Sequence, residues 1–173
     1  MGYANPLEAM GYEQFAEHAE KAGVDGILTV DMPPEESDIF LPIMNKHGID
    51  TIFLVAPTTT KARMTSIATH AKGFIYYVSL KGVTGSASID ASELGEKLNI
   101  LRQYTDLPVG VGFGIRDGQS AALVSEVADG VVVGSTLVNC IAEHEKTPEL
   151  LPATVSELVA EMRVAIDIKD MKK

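Results

Sequence analysis

The chain has 173 residues, a formal net charge of −10 and 46% hydrophobic residues, which suits one soluble domain with a sizeable core. The acidic balance argues against nucleic acid, which calls for a basic footprint, and no apolar run reaches the ~20 residues of a membrane span. The single cysteine, Cys140, excludes an internal disulfide and reads as a small buried apolar side chain, and no signal peptide is visible, so a cytoplasmic setting is expected.

The predicted elements alternate between strand and helix. Met1-Gly-Tyr3 reads as the tail of a strand. Tyr12–Ala22 is a helix with Phe15, Ala19 and Ala22 on one face, stopped by Gly23. Gly26–Val30 is a strand, and Asp31–Ser37 is a loop that ends in a helix start, with Glu35 and Glu36 as first-turn charges favoured by the helix dipole. The following helix runs to Lys46 with a kink or break expected at Pro42, and His47-Gly48 closes it. Thr51–Val55 is a strand, followed by a Thr-rich helix start and a helix to about Ala71. Phe74–Val78 is a strand in which Tyr76 and Tyr77 face opposite sides, and Ser79–Ser88 is a long loop of small residues. Leu94–Tyr104 is a helix. Two Val-rich strands, Leu107–Ile115 and Gly130–Ser135, then flank a helix at Gly118–Val127. Helices at Thr136–Glu143 and Thr154–Lys169 end the pattern.

The two Val-rich runs are what a strand buried on both faces of a parallel sheet requires. Each stops at a glycine, Gly114 and Gly134, where the backbone can turn and leave N–H groups bare. Either glycine alone reads as a tight strand exit. The pair, on adjacent strands with Ser135 as a helix N-cap and a helix start behind it, points to an anion such as a phosphate ester.

Complete strand–helix units begin at Gly26, Thr51, Phe74, Val109 and Val131. Repeated units of this kind imply a parallel sheet. A closed barrel of eight such units takes about 250 residues and places its phosphate site after strands seven and eight. The expected fold is therefore α/β: a partial TIM (β/α)8 barrel of five complete units plus a strand stub, as a single domain over residues 1–173. An open doubly wound sheet fits the same pattern. His18, His47, His70 and His144 are scattered without metal-ligand spacing and read as surface or capping groups.

Tyr3-Ala-Asn-Pro6, Val30-Asp-Met-Pro-Pro-Glu-Glu-Ser37, Tyr76 with Gly82-Val-Thr-Gly85, Gly112-Phe-Gly-Ile115 and Gly134-Ser135 stand in the order and spacing of one family. Over its whole length the chain resembles the alpha chain of tryptophan synthase. The resemblance implies a (β/α)8 barrel that cleaves indole-3-glycerol phosphate to indole and glyceraldehyde 3-phosphate. It also implies a beta-chain partner in an alpha2beta2 complex, with pyridoxal phosphate belonging to that partner and no cofactor in this chain. By position, Gly85, Gly114, Gly134 and Ser135 match the family's phosphate contacts, and Leu28, Phe113 and Val132 its indole pocket. Tyr76 matches a tyrosine beside the catalytic acids, Tyr3 another pocket tyrosine, and Thr84 a threonine of the loop that closes the site. Asn5 and Pro33-Pro34 fall near surfaces used against the beta chain. Leu80-Lys81 depart from the family, which often has an arginine there.

The reaction needs a proton delivered to the indole ring carbon and another taken from a glycerol hydroxyl, hence positioned acid–base groups. The resemblance places these on a glutamate ending the family's second strand and an aspartate after it. Both would precede Met1, which is expected to be an internal methionine of a longer protein. Asp31 is the remaining carboxylate at a strand's C-terminal end, a catalytic-looking place, but in the family that position supports structure or the subunit contact. No catalytic residue is assigned within these 173 residues. Two alternatives are a phosphate-binding partial barrel without catalysis and another phosphate-binding barrel enzyme.

Overall fold

In the computed structural model, which describes residues 1–78, 90–112 and 114–170, helices and strands alternate. The elements are α1 (Ala4–Met10), α2 (Tyr12–Lys21), β1 (Gly26–Leu28), α3 (Phe40–Lys46), β2 (Asp50–Val55), α4 (Lys61–His70), β3 (Ile75–Val78), α5 (Ala91–Leu101), β4 (Val109–Gly112), α6 (Gly118–Ser125), β5 (Gly130–Val132), α7 (Ser135–Glu143) and α8 (Leu151–Asp170). The hydrogen-bonded order along the sheet is β1-β2-β3-β4-β5, the order of the chain. Parallel neighbours joined through helices in chain order are what a barrel wall requires. The chain divides into two compact units, Met1–Tyr76 with Leu101–Pro108, and Tyr77–Ile100 with Val109–Lys173.

In the first unit, β1 pairs parallel with β2, Gly26 opposite Asp50 and Leu28 opposite Ile52. The expected strand tail is present: Gly2 bridges Thr29 in parallel, its N–H donating to the Leu28 carbonyl at 3.0 Å and its carbonyl accepting from the Val30 N–H at 2.9 Å. Helix α1 follows directly, an element that periodicity over so short a stretch does not reveal. Pro6 falls in its first turn, where a missing N–H costs nothing. Helix α2 buries Ala16 and Ala19, while Phe15 is half-buried against the core and Ala22 is exposed. The buried stripe is thus rotated from the expected one. The core of this unit gathers Leu7, Ala16, Ile27, Phe40, Met44 and Ile49, with the Tyr12 ring edge-on to Phe40 at 5.2 Å. Burial of Phe40 and Met44 contributes about 1.5–3 kcal/mol each.

Pro42 does not kink α3. The helix starts at Phe40, after a short 3-10 turn at Pro34–Glu36, so Pro42 lies in the first turn, where it is tolerated. The buried Ser37 hydroxyl donates to the Pro34 carbonyl at 2.7 Å and holds that turn closed.

In the second unit, β4 pairs parallel with β5, Gly110 opposite Gly130 and Gly112 opposite Val132. All of β4 is buried. Strand β5 is half-buried throughout, short of the full burial its Val-rich run suggests, because it stands last in the hydrogen-bonded order. Helix α5 begins three residues earlier than predicted, since the Asp90 carboxylate accepts the N–H groups of Ser92 and Glu93 at 2.9 and 3.1 Å and so caps it. Helix α6 packs closely on α8: a Cβ on Gly118 would lie 2.9 Å from the Ala165 Cβ. Cys140 is buried on α7, as expected.

Candidate functional site

Both glycine turns lie in the second unit, and the two glycines serve different purposes. Gly114 has φ +77°, a backbone state that L side chains rarely adopt. Gly134 has φ −122° and is exposed, with nothing among the described residues within 4 Å of where a Cβ would stand. Its value is the open space it leaves in front of α7.

Gly134, not Ser135, is the N-cap of α7. The Gly134 carbonyl accepts from the N–H groups of Leu137 and Val138 at 3.0 and 3.1 Å, which makes Ser135 the first helical residue. Having no side chain, Gly134 closes none of the first-turn N–H groups. The first turn of α7 also carries no acidic residue. The start of α7 thus has neither a side-chain cap from Gly134 nor an acid on the positive end of its dipole, a setting that stabilises an anion. The Thr136 hydroxyl donates to the Ile115 carbonyl at 2.8 Å, joining the first turn of α7 to the β4 exit one residue past Gly114. Val132, half-buried, ends β5 two residues before Gly134.

At α6 the arrangement is closed. Asp117 and Ser120 form a capping box, the Asp117 carboxylate accepting the Ser120 N–H at 2.7 Å. Hydrogen bonds from Ser120, backbone first and then side chain, hold the Asp117 carboxyl below its ordinary range.

Tyr3, Leu28, Tyr76 and Asp31 belong to the first unit. Leu28 is buried on β1 at 5% exposure, whereas Tyr3 is 63% exposed at the start of α1. Tyr76 is half-buried on β3 and its neighbour Tyr77 is fully buried. Burial pushes both phenols up, and Glu93 of α5 adds to the effect at Tyr77. Tyr77 is therefore the helix-side tyrosine, and alternation turns Tyr76 to the opposite face. Asp31 has a structural partner: its carboxylate accepts the Ala4 N–H at 2.8 Å and caps α1 across 27 residues of sequence. Thr84, Gly85 and Phe113, together with Leu80-Lys81 and the 79–88 loop, lie outside the described residues.

A cleft of about 410 Å³ lies at the ends of β1 and β2, where no sequence motif marks a site. Its walls include Pro33, Pro34, Thr58, Thr60 and Arg63, and Arg63 reaches Glu35 at 3.6 Å. In the Thr58-Thr59-Thr60 run two hydroxyls bind backbone: Thr59 accepts the Ala56 N–H and Thr60 the Arg63 N–H. Three histidines sit at helix ends. His47 follows α3, while the Nδ1 atoms of His70 and His144 lie 2.8 and 2.9 Å from the carbonyls of Ser66 and Cys140. No group of three or more metal-ligating side chains occurs among the described residues.

Parallel strand–helix units following one another in chain order define part of a (β/α)8 barrel. The sequence profile described as tryptophan synthase alpha chain matches residues 1–167, and the chain belongs to that family. It is 62% identical over 167 residues to the tryptophan synthase alpha chain of Thioalkalivibrio sulfidiphilus, a match covering 96% of this chain and 63% of the relative. Identity to the Marinobacter nauticus alpha chain is 54%, covering 62% of that protein. Among solved structures, the Legionella pneumophila alpha subunit superimposes with a TM-score of 0.85 at 43% identity, over 96% of this chain and 61% of that one. A Pyrococcus furiosus structure of the tryptophan synthase a2b2 complex matches with a TM-score of 0.81 at 37% identity, over 92% of this chain and 64% of that one. The chain thus spans less than two thirds of the length of these relatives.

Proposed function

We propose that these residues form the phosphate-holding part of an alpha chain that cleaves indole-3-glycerol phosphate to indole and glyceraldehyde 3-phosphate. The observation that carries the reading is the tied pair of turns: Gly114 with its left-handed backbone, and Gly134 opening the start of α7. A phosphate dianion there accepts backbone N–H groups of the α7 first turn, and Gly85 supplies a further contact by family position. By family position alone, Leu28, Phe113 and Val132 match the indole pocket, Tyr76 a tyrosine beside the catalytic acids, Tyr3 another pocket tyrosine, and Thr84 a threonine of the closing loop. The acid–base pair comes from the family's earlier strands. Asp31 is discounted as acid or base because its carboxylate is engaged at α1. The chain carries no cofactor of its own and works in the cytoplasm against a beta chain. The cleft beside Pro33-Pro34, with Asn5 on the neighbouring α1, is the surface offered to that partner.

Two measurements test this reading. Calorimetry of the 173-residue chain with glycerol 3-phosphate is expected to give saturable binding. Indole release from indole-3-glycerol phosphate is expected to be undetectable for these residues alone, and to appear when the relatives' N-terminal segment is added as a separate peptide. Losing one general acid or base costs about 10²–10⁴ in rate. Phosphate binding, shared by ground and transition states, cannot restore it. Substantial turnover without the peptide, abolished by Asp31→Asn, would overturn the assignment.

A further inference from the structure

The last described pair of the parallel ladder between β4 and β5 is Gly112 opposite Val132. Past that pair a side chain joins the two turns: the Thr136 hydroxyl, in the first turn of α7, donates 2.8 Å to the carbonyl of Ile115, 21 residues earlier. Ile115 is buried at 5% exposure and directly follows the left-handed Gly114, so the acceptor is a fixed point. Thr136 itself is half-buried, and at the start of a helix its hydroxyl has no carbonyl one turn back to claim it, which frees it to reach across.

We propose that Thr136 is a positioning residue for the phosphate site, its hydroxyl setting the α7 first turn against the β4 exit so that donors from both glycine turns meet one anion. The inference rests on the phosphate reading above and deepens it. Donors aimed in advance cost nothing to orient when the anion arrives. Without the tether, the first turn of α7 has to be ordered by the ligand, and affinity falls.

The test compares the wild-type chain with Thr136→Val, which keeps the branched shape without the donor, and Thr136→Ser, which keeps the donor. Glycerol 3-phosphate affinity is measured by calorimetry, and amide exchange is followed residue by residue. The expected result is a loss of about tenfold in affinity for the valine variant, near wild-type affinity for serine, and faster exchange confined to the first turn of α7. Equal affinity for the valine and wild-type chains overturns the inference while leaving the phosphate reading intact, and so does a serine variant as weak as valine. Global unfolding of the valine variant, or exchange raised throughout α6 and α8, also overturns it, since Thr136 is then a structural residue only. Failure of the wild-type chain to bind removes the phosphate reading itself, and the inference with it.

Discussion

Helices α6 and α7 begin 17 residues apart in the same unit, each after a strand of the sheet, yet their starts are built for opposite purposes. At α6 the backbone donors are satisfied by Asp117 and Ser120, a negative charge sits on the positive end of the helix, and Gly118 lets α8 come close. At α7 the cap is a glycine, the first turn has no acid, and among the described residues nothing lies within 4 Å of where a Gly134 Cβ would stand. The same helix geometry thus serves stability in one place and, in the function proposed above, anion binding in the other. A few side chains decide which.

Exchanging the roles of the two glycines tests this contrast most strongly. Gly118→Leu forces a side chain into a gap where even a Cβ stands 2.9 Å from Ala165 and 3.4 Å from the Glu161 carbonyl. Overpacking of this kind costs roughly 1–3 kcal/mol, and the expected result is a clear drop in the thermal midpoint. Gly134→Val meets open space, so stability is expected within about 0.5 kcal/mol of wild type. Its glycerol 3-phosphate affinity should nevertheless fall tenfold or more (about 1.4 kcal/mol or more). Unchanged affinity with an intact fold would show that the open helix start holds no anion.

Removing the α6 cap is a smaller change. Asp117→Ala is expected to cost about 1 kcal/mol, read as a shift in the urea midpoint, with no effect on phosphate affinity. The carboxyl is held low in the folded chain, so its contribution is present above the ordinary aspartate pKa and is lost as pH falls through the folded value. The gap between wild type and Asp117→Asn should therefore narrow in acid.

The smallest effect concerns a helix C-terminus. His47 ends α3 with Nδ1 2.6 Å from Glu20 and Nε2 3.5 Å from Glu13, both on α2. Lys46, its neighbour, pairs with Glu13 at 3.1 Å. The Glu20 hydrogen bond is the main cause raising the His47 pKa, and Glu13 adds to it. The sign is opposite to that of Asp117: the His47 contribution is complete below the ordinary histidine pKa and is lost as pH rises through the raised folded value. Titration of the His47 ring by NMR should show a midpoint above the ordinary one, moved down by Glu20→Gln. An unshifted midpoint would remove this clamp between α2 and α3.

The comparison also separates what was legible in the residues from what was not. Asp117 three positions before Ser120, with an apolar helix behind it, announces a capped start locally. Gly134-Ser135 announces a helix start too, but which residue caps it turns on whose carbonyl accepts the first helical bond, and that is Gly134. Helix α1 has no local start signal for a related reason: the carboxylate that accepts its first N–H, Asp31, comes from 27 positions later. The apolar rhythm of α5 begins three residues after the helix itself, whose start is marked by Asp90.

By itself the sequence determined the strands, through Val-rich runs bounded by glycine, the helices between them, through apolar spacing, and the family, through motifs kept in order. These are local patterns, set by the pleat, the helical turn and the φ values open to glycine. Only the tertiary structure decided that Asp31 serves α1, that Tyr77 rather than Tyr76 turns toward the helices, and that Thr136 ties the start of α7 to Ile115. Each of these is a choice of partner between groups distant in sequence. A hydroxyl or carboxylate has many possible partners along the chain, and packing of the elements leaves it one.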